Sequence, residues 1–261
     1  MYSGKGFSMR KLAWLLFVVF AICGCGKKGP LLYPDMLAPA APSDVSVRQF
    51  GNSIKLSFVI PSKDLAGRNF TGLTGVKILK RDEPGGQAPG CSSCAADFFL
   101  VRKLNLEPLS SEARRYGNHL MLLDGDVQTG RTYTYRVSAV TKDNQEGALS
   151  APVTAVMVAV PLPPVLQVFS QPTEIQLEFV GLPPREGVIL GYNVYRTIKG
   201  EVFPLQPLNS EPLSGNRFVD AGLERGTSYG YGVRTVVRLP SGGRAESSLS
   251  NEVEGRLKDD E

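Results

Sequence analysis

The chain of 261 residues carries 29 Lys and Arg against 25 Asp and Glu, with 19 Pro and 28 Gly. Three of the bases, Lys5, Arg10 and Lys11, fall in the first eleven residues, and without them 26 bases face 25 acids. That balance lacks the basic stripe on which nucleic-acid binding depends, so nucleic acid is not an expected partner. The length admits two modest domains with real cores, and Pro and Gly beside many Val, Thr, Ser and Tyr suit short strands and tight turns better than helices.

At the amino end, Met9-Arg10-Lys11 precedes an almost wholly apolar run, Leu12 to Ile22. The run is short for a bilayer span and suits the apolar region of a secretory signal, with Met9 the economical start and residues 1–8 an upstream extension. Ile22-Cys23-Gly24-Cys25 resembles the lipobox of bacterial lipoproteins, with Cys23 departing from the usual small residue at minus two. The resemblance implies that residues 1–24 are removed and that Cys25 becomes an acylated amino terminus, palmitate among its lipids. Such a chain is anchored, because each buried methylene contributes about 0.8 kcal/mol. Gly26, where inner-membrane retention would need Asp, implies the outer membrane and the periplasmic side, with the cell surface as the alternative.

Residues 25–34, Cys25-Gly26-Lys27-Lys28-Gly29-Pro30-Leu31-Leu32-Tyr33-Pro34, are similar to the opening of small outer-membrane lipoproteins associated with the lipopolysaccharide-assembly translocon. By that resemblance Lys28, Gly29, Pro30, Leu31, Tyr33 and Pro34 form a docking motif for an outer-membrane assembly complex. The alternative is a lipid-proximal spacer whose lysines rest on anionic headgroups. Residues 25–42 as a whole read as a lipidated, Pro-rich and extended linker.

The remainder is organised by a duplication. Tyr133, Tyr135 and Val137 follow Gly130, and Tyr229, Tyr231 and Val233 follow Gly226; each set alternates at the period of a half-buried strand. In the first unit, strands are expected at Val45–Val47, Ile54–Phe58, Val76–Lys80, Phe98–Val101, Leu120–Leu123, the Tyr133 run and Pro152–Val158. In the second they are expected at Val165–Phe169, Ile175–Phe179, Val188–Tyr195, a Val202-Phe203 edge, Phe218-Val219, the Tyr229 run and Leu249–Val253.

This order resembles the fibronectin type III domain, written twice over 43–158 and 165–256, with a Pro-rich hinge at 159–164 and a polar tail at 257–261. The fold class implied is all-β: two tandem immunoglobulin-like sandwiches. Tyr133 and Tyr229 match the family's tyrosine corners, and Phe58, Val137, Phe179 and Val233 its core positions. Phe58 and Phe179 stand where the family usually places Trp; the one Trp, Trp14, lies in the signal.

Residues 82–96 form a Gly- and Pro-rich insertion around Cys91-Ser92-Ser93-Cys94. In the oxidising compartment implied above, Cys91 and Cys94 read first as a local disulfide that shapes the turn. An exchange-active dithiol and free thiols or metal ligands are the alternatives. Phe98 and Phe99 point to opposite faces, either covered by the 104–118 excursion or with one as an exposed anchor. Tyr195 reads as outward-facing beside Arg196, the loops 142–147 and 240–244 as solvent-facing turns, and His119 as no catalyst for want of a nucleophile.

The expected function is a non-enzymatic, membrane-anchored lipoprotein of the cell envelope that serves as a protein-interaction or scaffold module. It would have an envelope protein as partner, lipid on Cys25, and no cofactor or metal. An accessory enzyme or thiol–disulfide factor using Cys91 and Cys94 is one alternative. A cell-wall or carbohydrate-binding module is another, disfavoured by the lack of Trp after Cys25.

Overall fold

A computed structural model describes residues 33–84 and 98–259 of the chain. After a 3-10 turn at Pro34–Leu37 come fifteen strands in three sheets. Ser43–Phe50 (β1), Ser53–Val59 (β2), Ala113–Tyr116 (β5) and His119–Asp124 (β6) face Leu73–Pro84 (β3), Phe99–Asn105 (β4), Arg131–Thr141 (β7) and Val153–Val156 (β8), the latter in the order β4-β3-β7-β8. Val165–Ser170 (β9), Glu174–Val180 (β10) and Arg217–Ala221 (β12) make a three-stranded sheet opposite Val188–Ile198 (β11), Tyr229–Arg238 (β13), Arg244–Glu246 (β14) and Val253–Gly255 (β15).

The alternation that marks these strands in the sequence is the alternation of burial. Ile54, Leu56 and Phe58 enter one core with Val76, Ile78 and Val137, while Ile175, Leu177 and Phe179 enter a second with Val194, Tyr231 and Val233. Phe58, Val137, Phe179 and Val233 are each at most 1 % exposed, so Phe fills the site where the resembled family carries Trp.

The architecture is all-β and sandwich-like, but it does not resolve into two separate tandem domains. β1 pairs in parallel with β14, Gln49 opposite Ala245 and Phe50 opposite Glu246, so one sheet runs β5-β6-β2-β1-β14-β13-β11 through both repeats, and residues from Asp35 onward form one compact unit. A third small cluster, Val237, Leu239 and Ala245 with Val158, packs at the join. The Gln49 side chain pins the start of the expected hinge. Its amide donates to the carbonyls of Gly51 and Val158 at 3.1 and 2.9 Å, and its oxygen accepts from the Val158 N–H at 3.1 Å.

Three local expectations are corrected. Val202-Phe203 is not a strand: Pro204, Pro207 and Pro212 deprive residues 201–213 of ladder donors, and the segment lies as a loop over the join. The 240–244 turn is exposed as expected, and it leads straight into β14, whose Ala245 and Glu246 are fully buried. Phe99 and Leu100 are both exposed, at 50 and 53 %, and are not covered by 104–118, since that chain folds into β5 beside β6 on the opposite sheet. The linker is shorter than 25–42, because the carbonyls of Met36, Ala38 and Pro39 already accept from Ala66, Leu65 and Ala148 at the end of the first sandwich. Gly147 permits that approach, since a Cβ there would lie 2.5 Å from the Pro39 oxygen.

The expected disulfide is also corrected. No disulfide joins the described residues, and Cys91 and Cys94 lie outside them, as do Cys25, Lys28, Gly29, Pro30 and Leu31. The fold supplies a reason why none is required. β3 and β4 are antiparallel neighbours paired from Gly75↔Asn105 to Lys80↔Phe99, so ladder hydrogen bonds already close the intervening loop. Likewise nothing in the fold supports a lipoprotein, outer-membrane or periplasmic identity, which rests on the sequence. No helix among the described residues is long and apolar enough to cross a membrane.

Candidate functional site

Each repeat carries the same polar anchor. The Tyr133 hydroxyl accepts from the backbone N–H of Gln128 at 2.8 Å, and that of Tyr229 from Glu224 at 3.1 Å, five residues upstream in both cases. The second tyrosine of each pair donates to an aspartate eleven residues earlier, Tyr135 to Asp124 and Tyr231 to Asp220, both at 2.8 Å. A base from the neighbouring strand of the tyrosine's own sheet completes the set: Lys80 reaches Asp124 at 2.8 Å and Arg196 reaches Asp220 at 2.9 Å. Burial, followed by the adjoining carboxylate, pushes the hydroxyls of Tyr135 and Tyr231 far above the ordinary phenol range. They are fixed donors that tie the sandwich layers together, and they are unsuited to proton transfer near neutral pH.

The distinctive cluster lies where the repeats meet. Lys55 sits on the outer face of β2, at the alternate position to the core residues Ile54 and Leu56, and it is nonetheless 1 % exposed. Its ammonium donates to the Leu205 carbonyl at 3.0 Å, approaches Glu246 at 3.4 Å and lies 4.3 Å from the centre of the Phe50 ring. Glu246, fully buried, also receives Arg48 at 3.1 Å and the Tyr195 hydroxyl at 2.6 Å. The Arg234 guanidinium stacks 3.7 Å from Phe50 and donates to the Ser247 carbonyl at 2.6 Å.

Burial lowers the Lys55 pKa to about 8 against the pull of Glu246. For Glu246, burial alone would raise the value; attraction from Lys55 and Arg48, with hydrogen bonds from Tyr195 and Asn193, holds it below the ordinary carboxylate range. The Tyr195 hydroxyl is pushed up by burial and by Glu246. Tyr195 is therefore an inward-facing member of the join, which corrects its expected outward position; it is 1 % exposed.

Two recesses flank this cluster. One, of about 380 Å³, is lined by Arg48, Asn193, Asn209 and Arg244. The other, of about 370 Å³, lies under the 201–205 loop, with Phe50 and Leu123 from the first repeat and Phe203 and Leu249 from the second. Of the other residues singled out in the sequence, Tyr33 is 69 % exposed and Pro34 opens the 3-10 turn. His119 is exposed at the start of β6. His119 pairs with Val59, at the other end of β6 from Leu123, the partner of Lys55. Among the described residues no group of His, Cys, Asp or Glu is placed to hold a metal.

No family model matches the chain. A crystal structure of chicken CNTN1 FN1–FN3 domains is similar at 15 % identity, covering 85 % of this chain and 68 % of that one, with a TM-score of 0.31. A second, titled "Myokine structure", shares 19 % identity over 38 % of this chain and 99 % of its own, with a TM-score of 0.30. At TM-scores this low neither likeness carries an argument, and the all-β, sandwich-like architecture rests on the sheet order itself. The polar side chains described above are spent on anchoring the fold.

Proposed function

We propose that the chain is an interaction module of the cell envelope, held to a membrane by lipid on Cys25, whose two fibronectin type III-like repeats, 43–158 and 165–256, work as one rigid arm. The observation that carries this reading is the buried join. A continuous sheet and a desolvated Lys55–Glu246–Tyr195 cluster fix the angle between repeats, which a pair of beads on a hinge would not require. Fixed geometry presents surfaces from both repeats to a partner at once, without the ordering cost of a flexible linker. The tether is short, since the chain is already bound to the first sandwich at Met36. The eleven or so residues from Cys25 would span about 34 Å at a polyproline rise of roughly 3.1 Å per residue, and at most about 40 Å fully extended. The partner proposed is another envelope protein, with an outer-membrane assembly complex the specific candidate given by residues 28–34, and the outer membrane facing the periplasm is the proposed location.

The test is metabolic labelling with an alkyne fatty acid, followed by in-cell crosslinking. Label on the wild type and its loss in C25S are expected, together with crosslinks that disappear when residues 28–34 are scrambled. Absence of label on Cys25 would remove the tether. Crosslinks unchanged by scrambling would make that segment a spacer.

A further inference from the structure

Deepening the reading of this chain as an interaction module, we infer that the recess under the 201–205 loop docks an extended segment of a partner protein that carries a basic side chain beside a bulky apolar one.

Beside the recess the two repeats differ at two positions, where side chains that line it approach the backbone. Between the anchoring tyrosines and the following valine, the first repeat places Thr134 and Arg136, and the second places Gly230 and Gly232. Thr134 and Arg136 fill the outer face of β7: the Thr134 hydroxyl pairs with that of Thr154, and the Arg136 guanidinium donates to the Ser150 carbonyl. On β13 that space is vacated. Leu249 lies 2.7 Å from where a Gly232 Cβ would stand, and a Gly230 Cβ would meet the Glu252 carboxylate at 2.9 Å and the Phe203 ring at 3.7 Å. Phe203 and Glu252 thus converge over bare backbone, and the floor is completed across the join by Phe50 and Leu123.

The charge at its mouth is acidic. Of the nearby cations, Lys55 is held by Glu246 and the Leu205 carbonyl, and Arg234, which also lines the recess, stacks on Phe50 and donates to the Ser247 carbonyl, so two carboxylates face one guanidinium there. Glu201 and Glu252 line the recess, are exposed, and make no side-chain hydrogen bond or ion pair among the described residues. Between them Val202 stands 80 % exposed at the lip. An apolar floor under unpaired carboxylates repels an anionic ligand. It penalises a purely apolar one, which would dehydrate both acids without pairing them. A cation next to an apolar side chain satisfies both requirements, burying its apolar part on Phe203 and Leu249 and placing its charge at the rim. Because both repeats supply walls, the site is present only while the join is closed.

The experiment uses the full chain in non-ionic detergent and two fluorescent Gly/Ser peptides. One has a central Arg-Leu-Lys-Phe cluster, and in the other both bases are replaced by Glu. Anisotropy should report binding of the basic peptide, and hydrogen exchange should show protection at 201–205 and 249–252. E201Q combined with E252Q should weaken binding about tenfold, as the loss of two exposed charge pairs predicts. G230S, whose added side chain would displace the Glu252 carboxylate and press on the Phe203 ring, should abolish binding while leaving the exchange pattern of β1 and β14 intact. Equal binding of the acidic peptide, or no effect of the double substitution, would overturn the assignment. Protection mapped instead to the open face of β9, β10 and β12 would overturn this site and leave the interaction-module reading standing. Binding of neither peptide would overturn the site alone, since the crosslinking experiment judges the module independently.

Discussion

Replacing Lys55 by Met tests the physical account of the join most directly. The methionine keeps the length and apolar stem of lysine and removes its charge. With the Lys55 pKa lowered from 10.5 to about 8, and each pKa unit worth about 1.4 kcal/mol, the folded chain disfavours the ammonium by about 3 kcal/mol relative to the unfolded chain. Between these two values the unfolded chain keeps a proton that the folded chain has released, so stability rises with pH across that window. Below about 8 both states are protonated and the whole penalty is present. The rise is cleanest up to about pH 10. Above it the buried Tyr135, Tyr195 and Tyr231, with pKa values pushed up by burial, stay protonated in the folded chain while their unfolded counterparts ionise, and stability falls. Urea unfolding followed by far-ultraviolet circular dichroism at several pH values should show the alkaline rise in the wild type and its absence in K55M. At neutral pH the variant should lie within about 1 kcal/mol of wild type or above it, because Arg48, Tyr195 and Asn193 still hold Glu246. A K55M chain that kept the rise, or that lost several kcal/mol at pH 7, would refute the claim that a desolvated ammonium sits at this position.

Two further outcomes follow from the duplicated anchors. Asp124→Asn removes the carboxylate paired with Lys80, whose side chain is 3 % exposed and keeps only the Asp126 carbonyl as acceptor, and should cost about 3–5 kcal/mol. Asp220→Asn leaves Arg196, 32 % exposed, within reach of water and should cost about 1–2 kcal/mol. The order of the two losses in urea titrations is the check. Tyr133→Phe and Tyr229→Phe each remove the acceptor for one backbone N–H and should each cost about 1–2 kcal/mol. Lying in different cores, they should add to within about 0.5 kcal/mol in the double variant, as measured by the same titrations.

The parts of the fold legible in the sequence are those written at the period of two. Ile54-Lys55-Leu56-Ser57-Phe58 and Ile175-Gln176-Leu177-Glu178-Phe179 announce strands, and the repeated Tyr-x-Tyr-x-Val announces the layer that covers them. The same rule conceals the join. Lys55 alternates with core residues and so reads as solvent-facing, and its partner Glu246 lies 191 positions away. No local pattern encodes the parallel pairing of β1 with β14, which involves only two residue pairs. A usable signal did exist for the anchors, since an Asp stands eleven residues before the second tyrosine in both repeats. The glycines of Tyr-Gly-Tyr-Gly-Val were likewise visible as a departure from Tyr-Thr-Tyr-Arg-Val, although what fills the vacated space depends on a loop that Pro204 and Pro207 keep out of the sheet.

Comparison of the repeats shows how the join is built from a surface feature. Glu146 bridges Val140 as Glu246 pairs with Val236, each in the segment returning from the long tyrosine strand. In the first repeat Glu146 finds its cation on the neighbouring strand, Lys77, and accepts from Ser138 at 2.7 Å near the surface. The register that places Lys80 opposite Tyr135 and Arg196 opposite Tyr231 puts Asn193 where the first repeat has Lys77. With Asn in that place, Glu246 forms no salt bridge within its own repeat, where Arg234 acts on it only at longer range, and a buried carboxylate without a close cation is costly. Lys55 and Arg48 of the first repeat supply it. The exchange of one lysine for asparagine turns a solvent-exposed ion pair, worth little by itself, into a requirement that the two repeats stay together.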